Sequence, residues 1–243
     1  FEYDSKKSGG LTISHLRTSD TPILSSYFVY DANFIAIHNY TFVKKYDVLA
    51  GLKKNGTVLL NTSLSEEELA KDLPENFKKH LKDTGSKLYI IPAVKVAQAA
   101  GLKNRINTIM QSCFFKITGI IDYKIAEKEM KDFAIKSYSK KGEAIVQSNM
   151  KAIDAATNDL IEVNVDKIIN TPTVKKETDK ITSKYFQEFI SLIEKRHGNE
   201  MPVSCFAVDG AIPTGTSKFE KRGISQCVHK WNSEKCIQFG QCV

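Results

Sequence analysis

The sequence predicts an α/β fold: an open, mostly parallel sheet flanked by helices, followed by a small α+β module. Three observations predict it. Short apolar segments suited to buried strands recur through the first hundred residues, helix-like segments fall between them, and 42% hydrophobic with 26% charged residues is an ordinary globular composition. Buried strands that alternate with helices are typical of parallel sheets.

The expected strands are short runs of β-branched, aromatic and other apolar residues. They cover residues 11–17, 22–30, 33–38, 57–61 and 87–92.

Helices are expected between and after these strands. Ser65 stands three residues before Glu68, which is a capping box at the start of a helix within 63–73. Residues 92–101 are typical of a short helix that ends at a glycine. From residue 104 the pattern becomes helical, and one apolar stripe with helical spacing is formed by Ile106, Ile109, Met110, Cys113, Phe114 and Ile117.

The second half of the chain is less regular. Two more helices are expected within 125–142 and 143–157. Residues 165–184 are polar, rich in Thr and Lys and without periodicity, which is typical of a linker. An amphipathic helix is expected over 184–198 and a short strand over 201–208, followed by a turn-rich segment.

Composition excludes some classes of protein. No apolar run is long enough for a membrane helix, and the N-terminus lacks the apolar stretch of a signal peptide. Five widely spaced cysteines, an odd number, favour the reducing cytoplasm. The net charge of +7 invites a nucleic-acid interpretation, but the excess is spread along the chain and no recognition motif accompanies it, so we expect no nucleic-acid partner.

Two basic segments are candidate phosphate sites. Lys6 and Lys7 precede two glycines, which allow a backbone to approach a ligand closely, although the motif is neither a Walker loop nor a dinucleotide fingerprint. Asn104 is expected to cap a helix whose first turn contains Arg105 and Asn107, where an anion would offset the repulsion between a cation and the helix dipole. Solvated side chains are the alternative in both segments.

The residues by themselves contain no complete catalytic constellation. His15 has no nucleophile at a known spacing, and Cys113 lies on the apolar stripe. Cys236 and Cys242 occupy the first and third positions of an iron–sulfur C-x2-C-x2-C run, with Phe239 in the second position. Two cysteines cannot hold a cluster.

Five stretches together closely resemble pyruvate:ferredoxin (flavodoxin) oxidoreductases, in order and over essentially the whole chain. They are YDSKKSGGLTISHLR, PILSSYFVYDANFIAIHN, GLKNRINTIMQSCFFK, YSKKGEAIVQSNMKAID and PVSCFAVDGAIPTGTSKFEKRGI. The resemblance implies a gamma-type domain over 1–164 that lacks its opening glycine-rich strand and helix, a connecting module over 165–235 named for its EKR motif, and at 236–243 the truncated start of a ferredoxin-like cluster domain.

The resemblance also implies a function. The whole enzyme converts pyruvate and coenzyme A to acetyl-CoA and CO2 and reduces ferredoxin or flavodoxin. It uses thiamine diphosphate, magnesium and [4Fe-4S] clusters, and it is expected to be a homodimer. In this chain Lys6, Lys7, Arg105 and Asn107 match family positions and are expected to bind coenzyme A, while Lys103 and Asn104 stand where glycines are expected. We expect no catalytic residue, no bound cofactor and no activity of the chain alone.

Three rivals remain. The chain could be a scaffold that only holds other domains of the polypeptide in register, a nucleic-acid-binding protein, or part of a branch with a different electron acceptor, since Phe239 replaces a cluster ligand. Coenzyme A binding separates the first rival from the main hypothesis.

Overall fold

The structure is a computed structural model that describes residues 1–3, 10–174, 183–219 and 230–240. The strands in these ranges are β1 (Glu2–Tyr3), β2 (Thr12–Ile13), β3 (Ala32–Ile37), β4 (Leu52–Asn61), β5 (Lys87–Ile91) and β6 (Ile161–Glu162). The α-helices are α1 (Thr41–Lys45), α2 (Glu66–Asp72), α3 (Glu75–Thr84), α4 (Ala93–Ala99), α5 (Asn107–Thr118), α6 (Tyr123–Tyr138), α7 (Glu143–Ala155), α8 (Val165–Asn170) and α9 (Ser191–Glu194).

The central sheet has the strand order β3-β4-β5-β6. The first three strands are parallel, with Ile35 opposite Val58, and β6 joins β5 in the antiparallel direction. β1 and β2 form a separate antiparallel pair in which Glu2 faces Ile13. These strand directions, with helices between the strands, confirm the predicted α/β fold with an open and mostly parallel sheet.

Side chains from the sheet supply two apolar clusters, one on each face. Val58 and Leu60 join the cluster that contains residues of α2, α3 and α8, whereas Leu59 between them joins the cluster with residues of α4, α5 and α7. Successive residues of a strand point to opposite faces, so a continuous apolar run is what a strand covered on both sides needs.

Local signals placed several helices correctly. The Oγ of Ser65 accepts from the backbone N–H of Glu68 at 3.3 Å, and a Glu68 carboxylate oxygen accepts from the Ser65 backbone at 2.9 Å, which confirms the capping box. On α5, the stripe residues Ile109, Met110 and Cys113 are buried.

The strand predicted over 22–30 is not formed. Side chains, not a neighbouring strand, pair the backbone there: the Arg17 guanidinium donates to the carbonyls of Ser25, Tyr27 and Phe28, and the Val29 N–H donates to His15. A segment joins a sheet only when its backbone groups bond to a neighbouring strand. Here these backbone groups bond to the side chains of Arg17 and His15.

The linker predicted over 165–184 begins with a helix instead. Asn164 caps α8 by accepting from the Lys167 N–H at 3.1 Å, and Ile168 is fully buried in the first apolar cluster. One buried side chain on a two-turn helix gives too weak a periodicity to be recognised in sequence.

Two expectations near the end of the chain also change. The strand predicted over 201–208 is a 3-10 turn at Val203–Cys205, because the Cys205 and Phe206 N–H groups donate to carbonyls three residues earlier. The helix predicted over 184–198 is present, with a wider π-type turn at Phe186–Ile190 before α9. No helix among the described residues is long and apolar enough to cross a membrane.

Candidate functional site

The turn between α4 and α5 presents the basic residues predicted to bind phosphate. Leu102 is buried and its N–H donates to the Ala97 carbonyl at 2.8 Å, which pins the turn to the core. The three residues that follow it, Lys103, Asn104 and Arg105, are all exposed. The buried Leu102 therefore fixes the turn so that the three polar side chains after it lie in solvent.

Backbone conformation explains why glycine suits this turn. Gly101 has φ +85°, and a Cβ there would lie 3.0 Å from the Ser148 Oγ on α7. Lys103 has φ +57°, a left-handed conformation that costs a non-glycine residue about 1–2 kcal/mol. Lys103 is one of the two positions where the resemblance implies glycine.

The predicted N-cap is wrong. α5 begins at Asn107, and Ile106 occupies the N-cap position without a side-chain hydrogen bond to the free amides. The side-chain Oδ1 of Asn104 instead accepts from the Gln98 Nε2 at 3.2 Å. Arg105 consequently precedes the helix and does not lie in its first turn.

Arg105 and Asn107 stand two residues apart at this uncapped helix start, and both are exposed. Neither side chain has a hydrogen-bond or ion-pair partner within the part of the chain that the structure describes. Unpaired amides at a helix N-terminus carry partial positive charge, which a guanidinium reinforces. The turn is thus a cationic surface open to an anion.

The other predicted site residues are placed only in part. Lys6, Lys7 and Cys242 lie outside the described residues. Cys236 is described, and its sulfur accepts from the Trp231 indole N–H and the Gln238 backbone N–H, which together lower the pKa of the thiol. Across residues 1–3, 10–174, 183–219 and 230–240, no group of three or more His, Cys, Asp or Glu side chains is arranged to hold a metal ion.

Cysteine reactivity should follow these environments. Burial raises the pKa of Cys113 to about 12, and its thiol donates to the Ala156 carbonyl at 3.3 Å. Because the thiolate is the nucleophile, we expect iodoacetamide to alkylate Cys236 at least about tenfold faster than Cys113 at pH 8. Peptide mapping of the native chain measures both rates, and urea should bring them together. Equal rates in the native chain would contradict the described environments.

Sequence reasoning missed the polar contacts at the carboxyl ends of the parallel strands. The buried Asn61 amide donates to the His38 carbonyl at 2.9 Å and accepts from the Ala93 N–H at 3.1 Å, so it ties the ends of β3 and β4 to the start of α4. Burial of the ring lowers the pKa of His38, and a hydrogen bond to the Ala36 backbone opposes that shift. An asparagine at the last position of a buried apolar strand was the available signal.

Two family models match the chain. Residues 1–158 match the family described as pyruvate ferredoxin/flavodoxin oxidoreductase, and residues 171–225 match a domain of unknown function, EKR. Among solved structures, pyruvate oxidoreductase subunit PORC of Thermotoga maritima is similar with a TM-score of 0.42 and 17% identity, over 56% of this chain and 67% of that one.

Curated relatives match along the whole length of the chain. A pyruvate:ferredoxin oxidoreductase of Moorella thermoacetica is 43% identical over 100% of this chain and 21% of its own length. A putative pyruvate-flavodoxin oxidoreductase of Synechocystis is 36% identical over 100% and 20%, and a pyruvate dehydrogenase [NADP(+)] of Cryptosporidium parvum is 33% identical over 100% and 14%. The chain thus spans about a fifth of the length of the first two. With 158 of its 243 residues matched by the family model, the chain belongs to the pyruvate ferredoxin/flavodoxin oxidoreductase family.

Proposed function

We propose that this chain is the part of a pyruvate oxidoreductase that binds the phosphates of coenzyme A. The observation that carries the proposal is the exposed turn before α5, where Arg105 and Asn107 stand beside unpaired helix amides in a member of this family. Coenzyme A contains a 3′-phosphate and a pyrophosphate, and such groups favour several cations on a preformed backbone.

The basic pair Lys6 and Lys7 completes the proposed site. Two ammonium groups followed by glycines suit a phosphate, and the pair matches family positions in the resemblance described above. Lysine acts on phosphate as a point charge, whereas the Arg105 guanidinium donates in a planar fork. The two segments are therefore suited to different phosphates of one ligand.

The activity proposed for the whole polypeptide is the oxidation of pyruvate with coenzyme A to acetyl-CoA and CO2, with electrons passed to ferredoxin or flavodoxin. Relatives five times as long bear these names. Thiamine diphosphate, magnesium and [4Fe-4S] clusters belong to the same proposal, in parts of the polypeptide other than this chain. A homodimer in the cytoplasm is proposed for the whole enzyme.

Cys236 and Cys242 by themselves do not fit an iron–sulfur cluster. Cys236 and Cys242 supply two thiolates, whereas a [4Fe-4S] cluster takes four. We accordingly assign no electron-transfer step to these residues. The proposed division is a gamma-type domain over 1–164, a connecting module over 165–235 and the start of a cluster domain at 236–243.

Replacing both lysines tests the proposal. We expect Lys6→Ala with Lys7→Ala to raise the Kd of coenzyme A about 100-fold, because each hydrogen bond to a charged group contributes about 1.5 kcal/mol or more. Isothermal titration of the 243-residue chain measures the Kd. The matched control is Lys53→Ala with Lys54→Ala, which removes two adjacent exposed lysines from β4 and the same net charge.

Ligand analogues show which phosphate groups of coenzyme A contribute to binding. Coenzyme A without its 3′-phosphate should bind more weakly than coenzyme A, and pantetheine, which lacks all three phosphates, should not bind measurably. If both lysine pairs weaken binding equally, the effect is one of net charge. If the parent chain binds no coenzyme A, the chain is a scaffold for its neighbouring domains.

A further inference from the structure

Three side chains that are far apart in sequence form one line of contacts. The Arg196 guanidinium pairs with one carboxylate oxygen of Glu2, and the other oxygen lies 2.6 Å from His15 Nε2. Glu2 is 22% exposed and His15 16% exposed, so the contact between these two is partly shielded from water, whereas Arg196 lies on the exposed side. We call these three residues, Glu2, His15 and Arg196, the clamp.

His15 uses both of its ring nitrogens in the clamp. Its Nδ1 accepts from the Val29 backbone N–H at 3.2 Å, so the hydrogen is on Nε2 and is donated to Glu2. The ring also stacks on Phe28, with centroids 4.9 Å apart. The imidazole therefore joins the β1–β2 pair to the extended segment that leads into β3.

Arg196 lies two residues after the end of α9 and is held by hydrogen bonds to the last turn of that helix. It adopts φ +68°, its N–H donates to the Ile193 carbonyl at 2.9 Å, and the next N–H, of His197, donates to the Leu192 carbonyl at 2.8 Å. This geometry closes a helix and usually employs glycine, because other residues pay about 1–2 kcal/mol for positive φ. An arginine at this position indicates that the contact of its side chain with Glu2 offsets the backbone strain.

The helical segment that precedes Arg196 has its own apolar support. Phe186 and Phe189 are buried, and Phe189 makes an edge-on contact with Phe206 at 5.1 Å between centroids. The guanidinium therefore extends from a packed element and reaches Glu2 from a defined position. A charge-assisted contact of this kind is directional because the donors of arginine are in a fixed fork.

The clamp connects the two regions that different family models match. Glu2 and His15 lie within residues 1–158, and Arg196 lies within residues 171–225, the domain of unknown function. We propose that Arg196 is a positioning residue through which the 171–225 module holds the β1–β2 pair, and that holding these strands supports the proposed binding of coenzyme A. The effect on ligand binding rests on the proposed coenzyme A function.

Arg196→Ala in the full chain tests the clamp directly. We expect hydrogen exchange of the backbone amides of residues 12–17 and of Val29 to become about tenfold faster, since local opening would no longer break the contact with Glu2. Lys195→Ala is the matched control, because it removes the neighbouring exposed cation and should leave these amides unchanged. The urea midpoint of the whole chain should be the same in both variants.

Further variants separate the contribution of the Arg196 side chain from that of its backbone conformation. Arg196→Gly relieves the positive φ but also removes the guanidinium, so exchange should accelerate as in Arg196→Ala. Glu2→Gln should accelerate exchange too, and Glu2→Gln combined with Arg196→Ala should add little, because both changes break one interaction.

The outcomes distinguish the clamp from the coenzyme A proposal. Unchanged exchange in Arg196→Ala would overturn the clamp, whatever coenzyme A does. Faster exchange with a raised Kd for coenzyme A supports both proposals. Faster exchange in a chain whose parent form binds no coenzyme A supports the clamp and removes the ligand function. Faster exchange with an unchanged Kd overturns the proposed support of ligand binding.

Discussion

Gly51→Ala is expected to lower the free energy of unfolding by about 4 kcal/mol, a large part of the 5–15 kcal/mol that is typical of a domain. A Cβ on Gly51 would lie 2.1 Å from the Tyr30 carbonyl oxygen, a distance that no packing adjustment of a side chain can relieve. Gly51 has φ +78°, and its carbonyl accepts from the Ala32 N–H at 2.7 Å at the entrance to β3. The added methyl group must therefore separate two backbone segments at the edge of the sheet.

Gly119→Ala is the control for Gly51→Ala. Gly119 closes α5 with φ +60°, and nothing lies within 4 Å of the position of an added Cβ. The substitution introduces left-handed strain without a collision and should cost about 1 kcal/mol. Urea unfolding followed by circular dichroism measures both variants. Equal losses of unfolding free energy in the two variants would mean that the backbone at Tyr30 moves away from the added methyl group at no extra cost.

Lys78→Ala is the second large effect, with an expected loss of about 3 kcal/mol. The Lys78 side chain is 2% exposed, and its ammonium donates to the Thr171 carbonyl at 2.6 Å, with a Glu75 oxygen at 3.8 Å. Removing it leaves the partly buried Thr171 carbonyl without this partner and forfeits the packing of the aliphatic stem. The segment that follows α8 would lose one of its attachments to α3 and keep the hydrogen bond from the Thr173 N–H to Glu75.

Two variants separate the contribution of the ammonium hydrogen bond to the unfolding free energy from that of side-chain packing. Lys78→Met keeps most of the stem and removes the ammonium, so it should recover only the packing contribution. Lys79→Ala, at the exposed neighbouring position, should stay within about 0.5 kcal/mol of the parent. Hydrogen exchange over 165–174 should accelerate in both Lys78 variants and not in Lys79→Ala. A Lys78→Met chain as stable as the parent would show that the hydrogen bond to Thr171 contributes nothing.

The positions of the candidate-site residues depend partly on local sequence and partly on contacts with distant residues. Arg105 and Asn107 are polar residues just after a short helix, so their exposure follows from local sequence. The Asn104 cap was wrong because α5 begins three residues later and the Asn104 side chain pairs with Gln98 on the preceding helix. The clamp could not be found in sequence, since Glu2 and Arg196 are 194 residues apart.

The amino-acid sequence by itself determined the α/β class, the capping box at Ser65 and the buried apolar strand over 57–61. These features depend on neighbours within one or two turns, which periodicity and capping residues describe directly. Only the tertiary structure decided that residues 22–30 stay out of the sheet, that α8 packs on the core through Ile168, and that Lys78 binds the Thr171 carbonyl just after α8. Such contacts join residues far apart in the chain, and local propensity contains no information about which distant backbone groups will meet.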